Sequence, residues 1–464
     1  MREIEIHIKY VRPHRLNTKV LYGRNLYDMQ NHSLKKSVTT IEAMSIVVGM
    51  IIGSGIFLKP SVVLTNAGSP FMSIVAWVSG GIITLAAALS VAEIASAIPK
   101  SGGLYTYLSD VYGNTTGFLL GWVQTIVSYP ASVGALAIAF ATYSGFFISL
   151  NPMQEKLLAV GALLFILMMN ILSTKFGGII QVLATAGKLV PIVAIILFGL
   201  LSNSSPGLGG VHASATAAGF GAAILGTLWA YDGWIGVTNM AGELDNPSKT
   251  LPRVITFGVL FVIIVYVTFN LTIFHVLSLE TISTSDIPGS AAAEVIFGKS
   301  GSVFITIGIM ISVFGALNGY LMTAARVPYV MGQEKKLPFS GYLGQIHPKL
   351  GTPANALVFE SLLSVIYIFT GTFNTLTDLL VFVLWIFFTM GVFAVFLLRK
   401  NMPYQEGLYR VPLYPFTPIV GIVGGLYIIV STLLNDPLRS FIGIGITLLG
   451  IPIYYFIIKD RKSL

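Results

Sequence analysis

Ile51-Ile52-Gly53-Ser54-Gly55-Ile56-Phe57 interrupts the first long apolar stretch of the chain. Two glycines around a serine let the backbone leave helical geometry at little steric cost. The interruption lies inside an apolar run at 38–67. A bilayer core of roughly 30 Å takes about 20 helical residues to cross, so that run is long enough. Lipid offers no partner to the N–H and C=O groups that a break sets free. A helix restarting near Ile56 points its N-terminus at the gap, with free N–H groups and roughly half a positive charge. That arrangement suits a carboxylate. The same glycines also suit close helix packing without any ligand, so the stretch needs a second feature to decide its reading.

The rest of the chain has the same character. Of 464 residues, 55% are hydrophobic and 10% are charged, whereas a soluble domain carries about 25% charged residues. The apolar residues run on, as in Ile82 to Ala92 and Val254 to Phe269, without the alternation of a barrel strand. Helices remain. The sequence therefore predicts an all-α integral membrane protein of about twelve transmembrane helices, at 38–67, 71–98, 115–149, 156–174, 178–202, 217–243, 252–278, 300–330, 354–371, 375–399, 416–434 and 438–458. The connections are mostly short and rich in Gly, Pro, Asn and Ser. Residues 36–460 read as a single membrane domain, and residues 1–35 as a cytoplasmic N-terminal tail. Its first 30 residues hold six Lys or Arg; they are either part of that tail or extra sequence ahead of a start at Met29. No cleavable signal peptide precedes the first span.

Charge orients the bundle. With the N-terminus inside, the inner segments hold 22 of the 27 basic residues, including Lys100, Lys249, Arg253, Lys335, Lys336, Arg399 and Arg410. The outer side holds Lys59, Lys156, Lys299 and Arg439, and Lys188 lies within a span. This asymmetry predicts both termini in the cytoplasm. A net charge of +8 spread over many loops argues against a nucleic-acid partner. There is no cysteine, which excludes disulfides, thiolate metal sites and a cysteine nucleophile. Gly298-Lys299-Ser300 lacks the earlier glycine of a phosphate loop, Ala293 standing there. Neither a metalloprotease helix motif nor a nucleophile elbow occurs. No enzyme activity, metal or cofactor is expected.

The second feature is Trp229-Ala230-Tyr231-Asp232-Gly233-Trp234, in the middle of the sixth span. An aspartate between aromatic residues and glycine at that depth is costly. Unwinding there exposes carbonyl oxygens, which suit an ammonium group. Two interrupted helices at matching positions of two five-helix halves are the sequence mark of an inverted-repeat transporter. The halves are about 38–202 and 217–399, with helices 11 and 12 at about 416–458 as an appendage. One break offers donors to a carboxylate and the other acceptors to an amine. Together they describe a site for a zwitterion, hence an α-amino acid. Asp232 has two readings: it holds the loosened backbone, or it contacts the amine directly. Lys188, in Thr185-Ala186-Gly187-Lys188-Leu189-Val190-Pro191, either reaches the inner interface along its helix or donates to the freed carbonyls of span one, where a sodium ion would otherwise bind. Tyr266 and Asn318 are candidates to face the cavity. Glu93 is a candidate at the inner gate, and so are Glu243 and Arg326; each also reads simply as a solvated residue.

Taken together, Val48 to Phe57, Ala92-Glu93-Ile94, Pro99 to Tyr107, Phe118 to Trp122, Gly187-Lys188-Leu189, Trp229 to Trp234 and Gly242 to Pro247 resemble the amino acid–polyamine–organocation superfamily. The resemblance covers nearly everything after Lys35 and is greatest to the L-type amino acid transporter branch, with its bacterial alanine–serine–cysteine and serine/threonine exchangers. It implies a five-plus-five inverted repeat and sodium-independent exchange of small neutral L-amino acids across the cell membrane. By resemblance, the substrate carboxylate meets the backbone at Gly53, Ser54 and Gly55. The amine meets Ile51, Trp229, Ala230 and Asp232, with Tyr231 and Gly233 beside them. Lys188 matches the lysine that replaces the sodium site in sodium-independent relatives. Animal relatives carry a cysteine in the outer loop after span three that ties them to a glycoprotein; Leu150 to Lys156 has none, so no disulfide-linked heavy subunit is expected. Where Asp232 stands, animal large-neutral carriers have a slimmer residue, and Trp229 is bulky. Both favour alanine, serine, threonine or cysteine as substrate. The rival expectations are a proton-coupled amino acid or amine importer, with Lys188, Asp232 or Glu93 as proton carrier, and an amino acid sensor that transports nothing.

Overall fold

The computed structural model describes residues 38–172, 174–202, 217–285, 287–401 and 406–462. The expected tail at 1–35 lies outside the described residues. Among the described residues the secondary structure is helical, apart from one isolated bridge, Val38 to Leu244. Among the described residues, ten stretches are long and apolar enough to cross a membrane, and Gly219–Ala230 and Ala354–Thr370 are shorter apolar helices. Side chains such as Leu164, Phe165, Leu197, Phe257, Ile264 and Val423 are exposed. In a soluble protein so much exposed apolar surface would be a liability; here it is the belt that meets lipid.

Local chemistry sets the helix ends. The first span starts at a capping box: Glu42 N donates to Thr39 Oγ1 at 3.3 Å, and Thr39 N donates back to Glu42 Oε2 at 2.7 Å. It runs as Thr40–Ile51, breaks, and resumes as Gly55–Ala67. Gly68 closes it in the left-handed region at φ 75°. Ser69 then caps the second span, Pro70–Ala97, with Pro70 in its first turn. The third span, Asn114 to Ser144, carries a π-helical turn at Gln124–Ser128. The sixth consists of Ala217–Ala230, a non-helical link, and a 3₁₀ segment Gly236–Glu243.

Three differences from the sequence reading have simple causes. The third span ends at Ser144 rather than 149, because Gly145 to Ile148 form a turn. The eighth begins at Pro288 rather than 300 and bends at Gly298, whose φ is 70°. A short amphipathic helix, Leu104–Tyr112, joins spans two and three. It is too short and too polar to register in a reading built on span length.

Packing encloses the two broken helices. Span two lies on span seven, span five on span eight, and span three on spans eight and nine. The resumed half of span one, Gly55–Ala67, lies against Ala217–Ala230 of span six. Ion pairs gather at the basic end of the bundle. Arg326 Nε and Nη2 donate to Glu243 Oε1 at 2.9 Å and Oε2 at 3.1 Å, with both side chains 1% exposed. Arg399 Nε and Nη2 donate to the two oxygens of Glu93, each at 2.8 Å, and Val411 N donates to Glu93 Oε2 at 2.7 Å. Val38 N donates to Glu243 O at 3.1 Å, pinning the start of the first span to the end of the sixth. Glu93, Glu243 and Arg326 are therefore buried and ion-paired, not solvated. In the connecting helix, Tyr105 donates to Glu334. Burial first, and then the Glu334 charge, push the Tyr105 hydroxyl well above its usual value.

Candidate functional site

The two interruptions meet in the middle of the bundle. In the first, Ile52 leaves the helix with ψ 85°, and Gly53 N turns back to Ile51 O at 2.9 Å. Ser54 then starts the second half, accepting Phe57 N at 3.1 Å and Leu58 N at 3.0 Å. The first N–H groups of that half have no partner within the helix. The Ser54 hydroxyl is buried and has no hydrogen-bond partner among the described residues. In the second interruption, Asp232 N turns back to Trp229 O at 3.1 Å, and Gly233 takes φ 106°.

Each break rests on the backbone of the other. A Cβ on Gly55 would stand 2.5 Å from Ala230 Cα. A Cβ on Gly233 would stand 2.8 Å from Met50 Cβ and 3.0 Å from Met50 C, and its positive φ already disfavours an L side chain. Tyr266, on span seven, joins the two. Its hydroxyl stands 2.7 Å from Ile51 O and 2.9 Å from Ala230 O, its single proton shared between the two carbonyls.

Lys188 is fully buried on span five. Its Nζ donates to Gly49 O at 2.7 Å and to Ile52 O at 2.5 Å, and Ser312 Oγ adds a longer contact to Ile52 O at 3.4 Å. These carbonyls belong to the last turn of the first half-helix, whose dipole end favours a cation. One and two turns earlier on the same face, Thr185 Oγ1 and Gln181 Nε2 both donate to Ser45 O, at 3.1 Å and 3.2 Å. Span five thus grips span one through a polar stripe.

Asp232 accepts the Tyr320 hydroxyl at 2.7 Å and is 8% exposed. It borders a small cavity together with Met50, Gln124, Ser128, Tyr129, Gly233, Tyr320, Leu384 and Phe388. On the opposite half, the Trp229 ring meets Phe373 edge-on at 5.9 Å. Lys59, counted on the outer side from sequence, is instead 1% exposed. Its Nζ donates to Thr377 Oγ1 at 3.1 Å and lies 5.4 Å from the Phe373 ring centre.

The structure brings Ile51, Gly53, Ser54, Gly55, Trp229, Ala230, Asp232, Gly233, Tyr266 and Lys188 to one crossing of broken helices. It leaves three candidates outside the crossing. Tyr231 turns into span two, donating to Trp77 O at 3.1 Å. Asn318 knits spans four, five and eight, accepting Asn170 Nδ2 at 2.8 Å and donating to Gly177 O and Gln181 Oε1. Glu93 sits with Arg399 at the basic end. Sequence reasoning missed Tyr320, Tyr129, Gln181 and Thr185. Gln181, Thr185 and Lys188 fall at helical spacing on one face of an otherwise apolar helix, which is the signal that was there to find.

Two broken helices that oppose free N–H groups to loosened carbonyls, inside a closed bundle of spans, define an inverted-repeat membrane transporter. Comparison with known proteins agrees. A family profile described as amino acid permease matches residues 38–458. The chain is 42% identical over 435 residues to the serine/threonine exchanger SteT of Bacillus subtilis (strain 168), covering 94% of this chain and 99% of that one. It is 33% identical to the human cystine/glutamate transporter (92% and 87% covered). It is 32% identical to the mouse b(0,+)-type amino acid transporter 1 (94% and 90%). The chain belongs to the amino acid permease family, within the amino acid–polyamine–organocation superfamily, and is a multi-pass membrane transporter, not an enzyme.

Proposed function

We propose that this protein is a sodium-independent exchanger of small neutral L-amino acids, serine and threonine foremost, working by alternating access in the cell membrane. The observation that carries the reading is Lys188 Nζ on Gly49 O and Ile52 O. A fixed ammonium already neutralises the carbonyls that a sodium ion would need, so no ion has to accompany the cargo. The cargo's carboxylate meets the N–H groups around Gly53, Ser54 and Gly55. Its amine meets the loosened carbonyls of Ile51, Trp229 and Ala230, with Asp232 supplying the nearby negative charge. The hydroxyl-bearing substrates are supported by the relative named for serine and threonine, which shares 42% of its residues over nearly its whole length, and by the limited cavity beside Asp232.

Both termini are cytoplasmic in this reading, which rests on 22 of 27 basic residues falling on one side. Without cysteine, a disulfide-linked second subunit has nothing to attach to.

The test is radiolabelled serine uptake into proteoliposomes, loaded with serine or empty, in sodium and in choline. Uptake into loaded vesicles only, equal in both salts, is expected. Equal uptake into empty vesicles defeats exchange, and a sodium requirement defeats the assignment of Lys188.

A further inference from the structure

One carboxyl in the bundle takes no part in the crossing described above. Glu360 lies one to two turns into the ninth span, Ala354–Thr370, and is 0% exposed. Neither of its oxygens has a hydrogen-bond partner among the described residues. Its own backbone oxygen accepts Ser364 Oγ at 2.8 Å, so the helix is intact around it. The buried residues Leu357, Glu360, Ser361, Ser364 and Ile368 form one stripe of this span. That stripe faces the third span: a Cβ on Gly134 would stand 3.3 Å from Ser364 O, and the Tyr367 hydroxyl donates to Ile126 O at 3.0 Å.

Among the described residues no cation pairs with the Glu360 carboxyl. Arg326, on the helix that follows span eight, forks onto Glu243. Lys156 of span four donates to Phe369 O, nine residues and so about 13 Å up the ninth span at 1.5 Å per residue. Glu155 accepts Thr142. Glu294, Lys299 and Tyr342 are exposed, Tyr329 is held by Gln333, and Tyr143 is buried at the far end of span three. Two further phenols lie on the packed spans, Tyr367 on Glu360's own helix, donating to Ile126 O, and Tyr129 on span three. Tyr129 lines the same cavity as Asp232 and Tyr320, Asp232's partner, and its hydroxyl accepts a hydrogen bond from Asn239 Nδ2. Tyr129 thus belongs to the span that packs on span nine and also lines the cavity of the crossing.

An ionised carboxylate in a membrane span, without cation, donor or water-facing side, is not sustained. A neutral acid of the same shape is. We propose that Glu360 is a proton-binding site: its carboxyl carries a proton in this conformation and has to carry it for spans three and nine to close on each other. Tyr129, next along from the π-helical turn, links that proton to the transport site. The inference goes beyond the choice of substrate. It predicts that transport slows once the proton leaves, about tenfold per pH unit above the ionisation point, as for any state that requires one bound proton.

The experiment compares wild type with E360Q, which keeps the shape of the neutral acid and cannot ionise. Serine exchange in proteoliposomes is followed from acid to alkaline pH, equal on both sides. E360Q is expected to match wild type at the acid end within about twofold and to stay flat while wild type falls. An unchanged pH profile in E360Q, or folded E360Q that does not exchange, overturns the proposal. Infrared spectra of the purified protein with isotope-labelled glutamate need neither a variant nor a transported substrate. A glutamic acid carbonyl band that persists above neutral pH is expected, and its absence overturns the proposal. That readout also separates a failure of the proton site from a failure of the serine reading.

Discussion

A Cβ on Gly55 would stand 2.5 Å from Ala230 Cα and 2.7 Å from Ala230 Cβ. The resumed half of the first span and the end of the sixth are therefore as close as two backbones come. Ala230 is helix backbone and cannot swing aside as a long side chain would. Gly55→Ala is expected to separate the two breaks and cut serine exchange by at least about tenfold, equivalent to about 1.4 kcal/mol of lost transition-state stabilisation. Gly161→Ala, where nothing lies within 4 Å, is the matched control and should transport as wild type. Proteoliposome uptake at equal protein loading compares the two.

Lys188→Met keeps an unbranched apolar stem and removes the ammonium. Gly49 O and Ile52 O then lose their close donor while remaining buried. An unsatisfied buried polar group costs about 1–3 kcal/mol, so a lower melting temperature in detergent and near-complete loss of exchange are expected. A variant that exchanges within twofold of wild type would remove Lys188 from the proposed mechanism.

Tyr266→Phe preserves the ring packed 5.6 Å from Trp77 and 5.1 Å from Tyr231 and deletes only the hydroxyl that links Ile51 O and Ala230 O. The expected result is a folded transporter with the maximal rate and the half-saturating serine concentration both changed, since the same carbonyls serve the amine and the closure. A stability loss with unchanged kinetics would make Tyr266 a packing residue alone.

Glu243 and Arg326 form a bidentate pair with 1% exposure on each side. Removing one partner strands the other, at about 3–5 kcal/mol for a buried pair. Arg326→Ala should therefore be far less stable than Arg326→Ala combined with Glu243→Gln. Thermal unfolding in detergent reads the difference, and equal stability of the two variants would contradict the pairing.

The breaks were legible because glycine-rich interruptions in long apolar runs have few alternatives in a medium that satisfies no backbone group. Lys188 was legible as a charge in a span, though sequence left two fates open to it. Other roles were not readable. Lys59 looks like an outer-surface lysine by position, yet tertiary packing buries it against Thr377 and Phe373. Asn318 looks like a cavity residue, yet its amide is used up by Asn170, Gly177 and Gln181. Glu93 and Arg399 are 306 residues apart, and no local pattern connects them. Tyr320 and Tyr129 resemble any tyrosine in an apolar helix until Asp232 and its cavity are placed beside them.

By itself, the amino-acid sequence determined the medium, the number of spans and the two points where helices one and six open. Each of these follows from local hydropathy and from the conformational freedom of Gly53, Gly55 and Gly233. Only the tertiary structure decided that the two openings rest on each other at Gly55 and Ala230, that Tyr266 joins Ile51 to Ala230, and that Glu360 has no hydrogen-bond partner among the described residues. Those are relations between residues tens to hundreds of positions apart. They depend on which helix faces pack together, and the apolar faces of these spans are too much alike for periodicity to specify that.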